Sequence, residues 1–278
     1  MCNKLLVILL TLQSCFFISA SAQSPKGSLF IIGGGTIPDS LRMQLLETAH
    51  WKKKDPIVIV TLASAYSDES FEGSNALFKN LTGEQCIKFD SAAVHDSKKL
   101  DSLKHAKIIF LGGGAQDRFM HLIEGSPVKN IILDAYKHGA VISGSSAGAA
   151  VMSNTMITGD GKIDTVYAST FRILENGNLI TSEGLGLLDS VIIDQHFLIR
   201  SRYNRLLSAQ FEFPAFQCIG IDESTAIVIH QGKAMVRGES QVIVLDHPNR
   251  ISRSSNGKLK GSVVLNVYTT GDQFFVKK

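Results

Sequence analysis

Short apolar segments that run into glycine recur along this chain, and they restrict its fold more than any other feature. Residues 29–32 and Ile108–Leu111 are apolar, and each segment is followed by three glycines. Residues 40–50 and Val128–His138 have the apolar spacing of helices. Continuous apolar strands separated by helices are typical of a parallel sheet that is covered on both faces. The pattern therefore predicts an α/β fold with a doubly wound, mostly parallel sheet.

The character of the sequence changes near residue 218, where helical spacing gives way to short β-type runs. Glycine, asparagine, histidine and proline separate these runs, as is usual for turns between strands. The runs cover residues 218–221, 226–229, 234–236, 241–245 and 263–267. We expect them to extend the main sheet with antiparallel strands. No linker or repeat interrupts the sequence, so residues 23–278 are predicted to form a single domain.

The first 22 residues have the pattern of a secretory signal peptide. Lys4 precedes an apolar stretch at residues 5–12, and Ala20-Ser21-Ala22 is a small-x-small cleavage site. A membrane anchor is the alternative, but the stretch is shorter than the roughly 20 residues that a spanning helix needs. A lipoprotein signal at Cys15 fits less well because apolar residues follow the cysteine. We expect cleavage near Ala22, a secreted or periplasmic protein, and no stable membrane anchor after cleavage.

The charge and cysteine content of the remaining chain exclude some functions. Removing Lys4 lowers the net charge from +3 to +2, which gives no basis for binding nucleic acid or a membrane surface. Cys86 and Cys218 remain after cleavage, each within an apolar stretch where cysteine is usually a small buried hydrophobe. The sequence does not decide whether Cys86 and Cys218 form a disulfide, since an exported protein meets an oxidising compartment.

The strongest local motif is Gly144-Ser145-Ser146-Ala147-Gly148, a G-x-S-x-G sequence between a predicted strand and an alanine-rich helix. That context is typical of a nucleophile elbow, in which small flanking residues permit a strained backbone at the serine. Ser146 is the central serine of the motif and therefore the candidate nucleophile, although the hydroxyl of Ser145 is a rival. A glycine-rich loop that binds phosphate is the alternative interpretation. The amide of Ala147 would face an oxyanion.

A serine nucleophile needs a base and a carboxylate that orients the base. His196 is the best candidate base, because it follows an apolar run at a predicted strand end, where doubly wound folds place their sites. Glu223 follows another strand, and its neighbour Asp222 is a rival carboxylate. Asp164 is a further candidate acid. The residues alone leave the choice of acid open.

Four ordered motifs resemble the cyanophycinase branch of the serine peptidase family that also includes aspartyl dipeptidase. They are the elbow with Ala149, the segment 184–188, the segment 194–197 with its following arginines, and the segment 220–226. The segment 111–116 is similar to that family's glycine–glutamine loop. The resemblance implies a fold like class I glutamine amidotransferases and a triad of Ser146, His196 and Glu223. A competing family assignment places the acid between serine and histidine, where Asp164 lies.

The resemblance also implies an oxyanion hole and a substrate pocket. Amides near Gly113 and at Ala147 would bind the oxyanion. The implied pocket residues are Gln116, Asp194, Gln195, Arg200, Arg202 and Arg205. In a helix from residue 200 to 207, Arg202 and Arg205 would share a face and Arg200 would point elsewhere. Guanidinium groups bind free carboxylates with paired hydrogen bonds, which suits a β-aspartyl peptide.

The resemblance implies hydrolysis of β-aspartyl bonds in cyanophycin, a polymer with an aspartate backbone and arginine side chains. The sequence departs from the family at residues 34–39, where an acidic–basic run is usual, so cyanophycin and aspartyl dipeptides both remain candidate substrates. A non-catalytic binding protein on the same fold is the alternative from another class. No cofactor or metal is expected, because the sequence has no metal-ligand cluster and its glycine runs lack dinucleotide spacing. A homodimer follows only from family analogy.

Overall fold

The computed structural model describes residues 24–163 and 170–277. The predicted signal peptide and Asp164 lie outside the described residues. Within them, the strands are β1 (Ser28–Ile32), β2 (Ile57–Val60), β3 (Ile87–Phe89), β4 (Ile108–Leu111), β5 (Val141–Ser145), β6 (Thr155–Gly161), β7 (Leu179–Glu183), β8 (Val191–Gln195), β9 (Gln217–Ile221), β10 (Thr225–His230), β11 (Lys233–Gly238), β12 (Gln241–Arg253), β13 (Leu259–Thr269) and β14 (Gln273–Phe275).

The helices of the described chain surround these strands. They are α1 (Asp39–Thr48), α2 (Ser67–Thr82), α3 (Ser97–Lys104), α4 (Gln116–Ile123), α5 (Val128–His138), α6 (Ala147–Ala150) and α7 (Tyr203–Glu212), with a 3₁₀ turn at Ser91–His95. None of the helices in the described ranges is long and apolar enough to cross a membrane.

The main sheet has eight strands in the order β14-β11-β10-β1-β5-β4-β2-β3. Strands β1 to β5 run parallel, as the apolar runs and intervening helices predict. Both faces are buried: Leu29 and Ile31 pack into one core, and Phe30 and Ile32 pack into the core on the opposite face. This alternation follows from the two-residue period of a strand. The predicted α/β class with a mostly parallel sheet is confirmed.

The antiparallel strands divide between two sheets, which differs from the expected single extension. Strands β10, β11 and β14 extend the main sheet antiparallel to β1. Strands β9, β12 and β13 instead join β8 in a separate four-stranded sheet. Apolar alternation specifies that a strand is half or fully buried but not which strand it pairs with. The chain crosses from the second sheet to the main sheet between β9 and β10.

The candidate site lies where the two sheets meet. Strand β5 of the main sheet ends directly before Ser146, and β8 of the second sheet ends directly before His196. Glu223 lies in the short connection from β9 to β10. Helix α7 packs against the second sheet through Leu206 and Ala209. Three separate chain segments thus bring their ends to one place.

Candidate active site

Ser146 has the strained backbone that the elbow motif predicts. Its φ is 56° and its ψ is −114°, in the region that non-glycine residues rarely adopt. The small neighbours are required by packing, since a Cβ at Gly144 would lie 2.2 Å from the carbonyl oxygen of Gly148. The amide of Ser146 donates to the carbonyl of Ile32 at 3.2 Å, which ties the elbow to β1. Ser145 is buried within β5, so Ser146 is the hydroxyl at the cavity.

A continuous hydrogen-bonded chain joins the serine to a carboxylate. The Oγ of Ser146 lies 2.7 Å from Nε2 of His196, and Nδ1 of His196 lies 2.6 Å from Oε1 of Glu223. With the Nδ1 proton donated to Glu223, the Nε2 lone pair accepts from the Ser146 hydroxyl. This is the geometry of a nucleophile, a base and an orienting acid.

The rival carboxylate Asp222 has a different set of partners. Its Oδ1 accepts hydrogen bonds from the amides of Leu198 and Ile199, each at 3.0 Å, and its Oδ2 accepts from the hydroxyl of Ser240 at 2.7 Å. Asp222 therefore fixes the turn that follows His196, while its neighbour Glu223 contacts the imidazole.

His196 is held in the neutral form that a general base needs. Burial is the largest cause that lowers the pKa of this imidazole below its ordinary value. The hydrogen bond to Glu223 raises the pKa, and the charges of Arg200 and Arg202 lower it again. The net direction is downward, so the ring remains unprotonated at neutral pH and can accept the serine proton.

The predicted oxyanion residues lie beside the nucleophile. A Cβ at Gly113 would be 4.0 Å from Oγ of Ser146, which places this glycine against the serine side chain. Ala147 is the first residue of α6, directly after Ser146. The two backbone segments flank the hydroxyl where a tetrahedral oxyanion would form.

Ser146 and His196 open onto a cavity of about 270 Å³. Of the predicted pocket residues, five line this cavity: Gln116, Gln195, Arg200, Arg202 and Arg205. Gln116 is buried, and its Nε2 donates to the carbonyls of Ile157 at 2.8 Å and Thr158 at 2.6 Å. The side chain of Gln116 thereby joins α4 to β6, and both elements line the cavity.

Asp194 has a different place from the one predicted. It is completely buried, it does not line the cavity, and it forms ion pairs with Arg202 and Arg205. The Nε of Arg205 donates to Oδ2 of Asp194 at 2.9 Å, and Nη2 of Arg205 donates to Oδ1. The carboxylate needs these partners because an uncompensated buried charge is costly. Asp194 therefore holds two arginines at the cavity.

Arg200 also differs from its predicted orientation. Residues 197–202 form turns, and α7 begins only at Tyr203, so the expected helical face does not exist there. Positive φ values at His196 (49°) and Ser201 (49°) bend the chain back on itself. Arg200 is consequently half-buried in the same cavity wall as Arg202 and Arg205.

Several cavity residues were missed from the sequence. Asp117 follows Gln116 on α4, and Thr158, Gly159 and Asp160 belong to β6. The sequence carried little signal for them, because β6 lies outside both larger sheets, paired with β7, and has no glycine run or motif at its end. The run Asn176-Gly177-Asn178 before β7 indicates a turn, but it does not indicate a cavity wall.

Cys86 and Cys218, the two cysteines within the described residues, are free thiols in separate cores. Burial raises the pKa of the Cys86 thiol to about 12 and raises the pKa of the Cys218 thiol as well. Cys86 packs with the α1–α2 side of the main sheet, and Cys218 packs under α7 on the second sheet. The disulfide that the sequence left open does not form in this structure.

The sequence is similar to known peptidases. A family model described as Peptidase family S51 matches residues 29–237. A cyanophycinase of Trichormus variabilis is 36% identical over 181 residues, which cover 62% of this chain and 58% of that relative's length. A cyanophycinase of Thermosynechococcus vestitus is 30% identical over 252 residues, covering 87% of this chain and 75% of the relative.

Solved structures show the same fold at lower identity. A peptidase from an acI-B1 Actinobacterium superposes with a TM-score of 0.63 at 20% identity, covering 90% of this chain and 96% of that one. A putative peptidase E of Listeria monocytogenes has a TM-score of 0.54 at 17% identity, covering 77% and 99% of the two chains. The family resemblance predicted from the four ordered motifs is confirmed, and this chain belongs to peptidase family S51.

Proposed function

We propose that this protein is a serine-type peptidase that hydrolyses β-aspartyl peptides, with cyanophycin as the substrate class. The observation that carries the proposal is the hydrogen-bonded chain from Ser146 through His196 to Glu223, which opens into a cavity walled by three arginines. The names of the cyanophycinase relatives support the same substrate class.

The reaction is an acyl transfer in two stages. Neutral His196 removes the proton of Ser146 as its Oγ attacks the carbonyl carbon of the β-aspartyl linkage. Backbone amides near Gly113 and at Ala147 stabilise the oxyanion. Protonated His196, held by Glu223, then donates its proton to the leaving amine, and an acyl-enzyme ester remains on Ser146. Water activated by His196 hydrolyses this ester and restores the free serine.

The cavity chemistry favours a substrate with a free carboxylate. Arg202 and Arg205 are committed to Asp194, whereas Arg200 is half-buried on the cavity wall close enough to His196 to lower its pKa. Guanidinium binds carboxylate with charge-assisted hydrogen bonds of about 1.5–3 kcal/mol each. We therefore assign Arg200 the main role in binding the substrate carboxylate, and Arg202 and Arg205 a supporting electrostatic role.

An aspartyl or isoaspartyl dipeptidase would use the same triad, so substrate size decides between the two activities. The test incubates purified protein, and Ser146→Ala as control, with cyanophycin and with a panel of α- and β-aspartyl dipeptides, and products are identified by mass. We expect small aspartyl-arginine products from the polymer that are absent with Ser146→Ala. Cleavage of dipeptides alone would assign the dipeptidase activity. Binding without cleavage would favour the non-catalytic binding protein and overturn the proposal.

We also propose that residues 1–22 direct export, because an apolar stretch precedes the Ala20-Ser21-Ala22 site. N-terminal sequencing of the protein isolated from its native host should give a start at or near Gln23. An intact Met1 on the isolated protein would contradict export.

A further inference from the structure

We propose that Gly34 and Gly35, in the loop after β1, are positioning residues that fix the places of the base and the acid. A side chain at either glycine would meet one of the two groups that act with Ser146, the imidazole of His196 or the carboxylate of Glu223. The proposal rests on the proposed function for its catalytic consequence, although the packing can be tested without any substrate.

Gly34 lies directly against the imidazole ring. A Cβ at this position would be 2.4 Å from Cε1, 2.6 Å from Nε2 and 2.9 Å from Nδ1 of His196. Real Cβ atoms essentially never approach another heavy atom below 3.0 Å, so any side chain here must move the ring or the loop. The φ of Gly34 is +112°, which also disfavours other residues. The ring nitrogen that bonds to Ser146 is among the atoms that would be displaced.

Gly35 has the same relation to the carboxylate. A Cβ at Gly35 would lie 2.5 Å from Oε2, 2.7 Å from Cβ and 2.8 Å from Cδ of Glu223. Its φ is +69°. Successive glycines thus leave space for the two groups that must remain hydrogen-bonded to each other at 2.6 Å.

Backbone hydrogen bonds join the loop to all three catalytic segments, so the loop cannot easily move away from them. The carbonyl of Ile32 accepts from the amide of Ser146 at 3.2 Å, and the carbonyl of Gly33 accepts from the amide of His196 at 2.8 Å. The carbonyl of Gly34 accepts from the amide of Ser224 at 3.0 Å, next to Glu223. Because these bonds hold the loop, an added methyl group at Gly34 would displace the imidazole.

The catalytic consequence is a loss in kcat with little change in KM. A displacement of about 1 Å in a reacting group can reduce a rate by roughly 10²-fold. We expect Gly34→Ala to lower kcat by about that factor while the Arg200 side of the cavity, and hence KM, is retained. Gly35→Ala should give a kcat loss of the same kind by moving Glu223 away from Nδ1.

Two other glycines provide matched controls for backbone strain. Gly139 has the same φ as Gly34, +112°, and its Cβ would meet only Lys26 at 3.9 Å. Gly125 has the same φ as Gly35, +69°, and open space around it. Gly139→Ala and Gly125→Ala should show the stability cost of the backbone conformation without loss of kcat.

A double-mutant cycle tests the packing independently of activity. Melting temperatures are measured for the wild type, Gly34→Ala, His196→Ala and the double variant. We expect Gly34→Ala to lower the melting temperature more than Gly139→Ala does, and to cost no more than Gly139→Ala in the His196→Ala background, where the ring is gone. If Gly34→Ala fails to fold and the double variant folds, the same contact is demonstrated.

The proposal is overturned if Gly34→Ala costs the same stability with and without the ring, or if neither the single Gly34→Ala variant nor the double variant folds. It is also overturned if the cycle shows coupling but kcat is unchanged in an active enzyme. An inactive wild type with intact coupling would instead refute the proposed function alone, since the glycine would still position the ring.

Discussion

Arg205 forms a bidentate ion pair with Asp194, and the two residues are 1% and 0% exposed. The pair joins the first turns of α7 to the end of β8, directly before Gln195 and His196. An arginine that was expected to bind substrate is therefore bound within the protein, although it also lines the cavity. Substitutions at Arg205 are therefore expected to reduce the stability of the protein before they affect substrate binding.

We predict that Arg205→Gln lowers the free energy of unfolding by about 3–5 kcal/mol, because Asp194 is left buried without its main partner. Chemical denaturation measures this directly. Arg118→Gln, on the exposed face of α4, is the control and should change stability by no more than about 0.5 kcal/mol. If Arg205→Gln lowered the free energy of unfolding by less than about 1 kcal/mol, the ion pair with Asp194 would not stabilise the site as described.

Arg200 is the arginine whose loss should affect substrate selection. We expect Arg200→Gln to reduce kcat/KM for β-aspartyl substrates by about ten- to a hundred-fold, the value of one charge-assisted hydrogen bond. Turnover of a neutral ester should be nearly unchanged, and Arg200→Lys should restore only part of the loss because lysine lacks the planar fork. Equal losses on charged and neutral substrates would show that Arg200 supports the triad instead.

The pH dependence of kcat/KM should follow the lowered pKa of His196. Only the neutral imidazole accepts the serine proton, so activity falls as pH drops through this pKa, and the acid limb should lie below the ordinary histidine value of 6.5. Removing the positive charge in Arg200→Gln should move the limb to higher pH. A neutral ester is the substrate for this measurement, because its own charge does not change. An acid limb above 6.5 in the wild type would contradict the assignment.

The identity of the acid is tested by comparing Glu223 with Asp164. Glu223→Gln keeps the shape of the side chain but removes the negative charge of the carboxylate, whose Oε1 lies 2.6 Å from Nδ1 of His196. We expect kcat to fall by about 10⁴-fold. Asp164→Asn should retain near wild-type kcat. The reverse result would assign the acid to Asp164, and loss in both variants would indicate a shared role.

Much of this site could be predicted from the sequence because its parts coincide with strand ends. The apolar runs before Ser146 and His196 indicated strands, and doubly wound folds place their sites at the carboxyl ends of strands. The choice between Glu223 and Asp222 depended on which of two adjacent side chains turns toward the imidazole. A positive φ of 53° at Ser224 belongs to that turn, and it cannot be predicted from the residue type.

Other features could not be predicted because they depend on long-range pairing. Strand β8 was expected near the site, but its place in a second sheet with β9 follows from register, not from composition. The burial of Asp194 likewise depends on two arginines, Arg202 in the turn before α7 and Arg205 in the first turn of α7. The role of Gly34 required the position of the His196 ring, which lies far away in the chain.

The central claim is that Ser146 and His196 act as one catalytic unit on a peptide substrate. The most direct measurement is kcat/KM for cyanophycin hydrolysis by the wild type, Ser146→Ala, His196→Ala and the double variant. Because the 2.7 Å hydrogen bond makes the two residues interdependent, each single variant should lose nearly all activity, on the order of 10⁶-fold, and the double variant should lose little more. Near wild-type hydrolysis by Ser146→Ala, or fully additive losses in the double variant, would contradict the account.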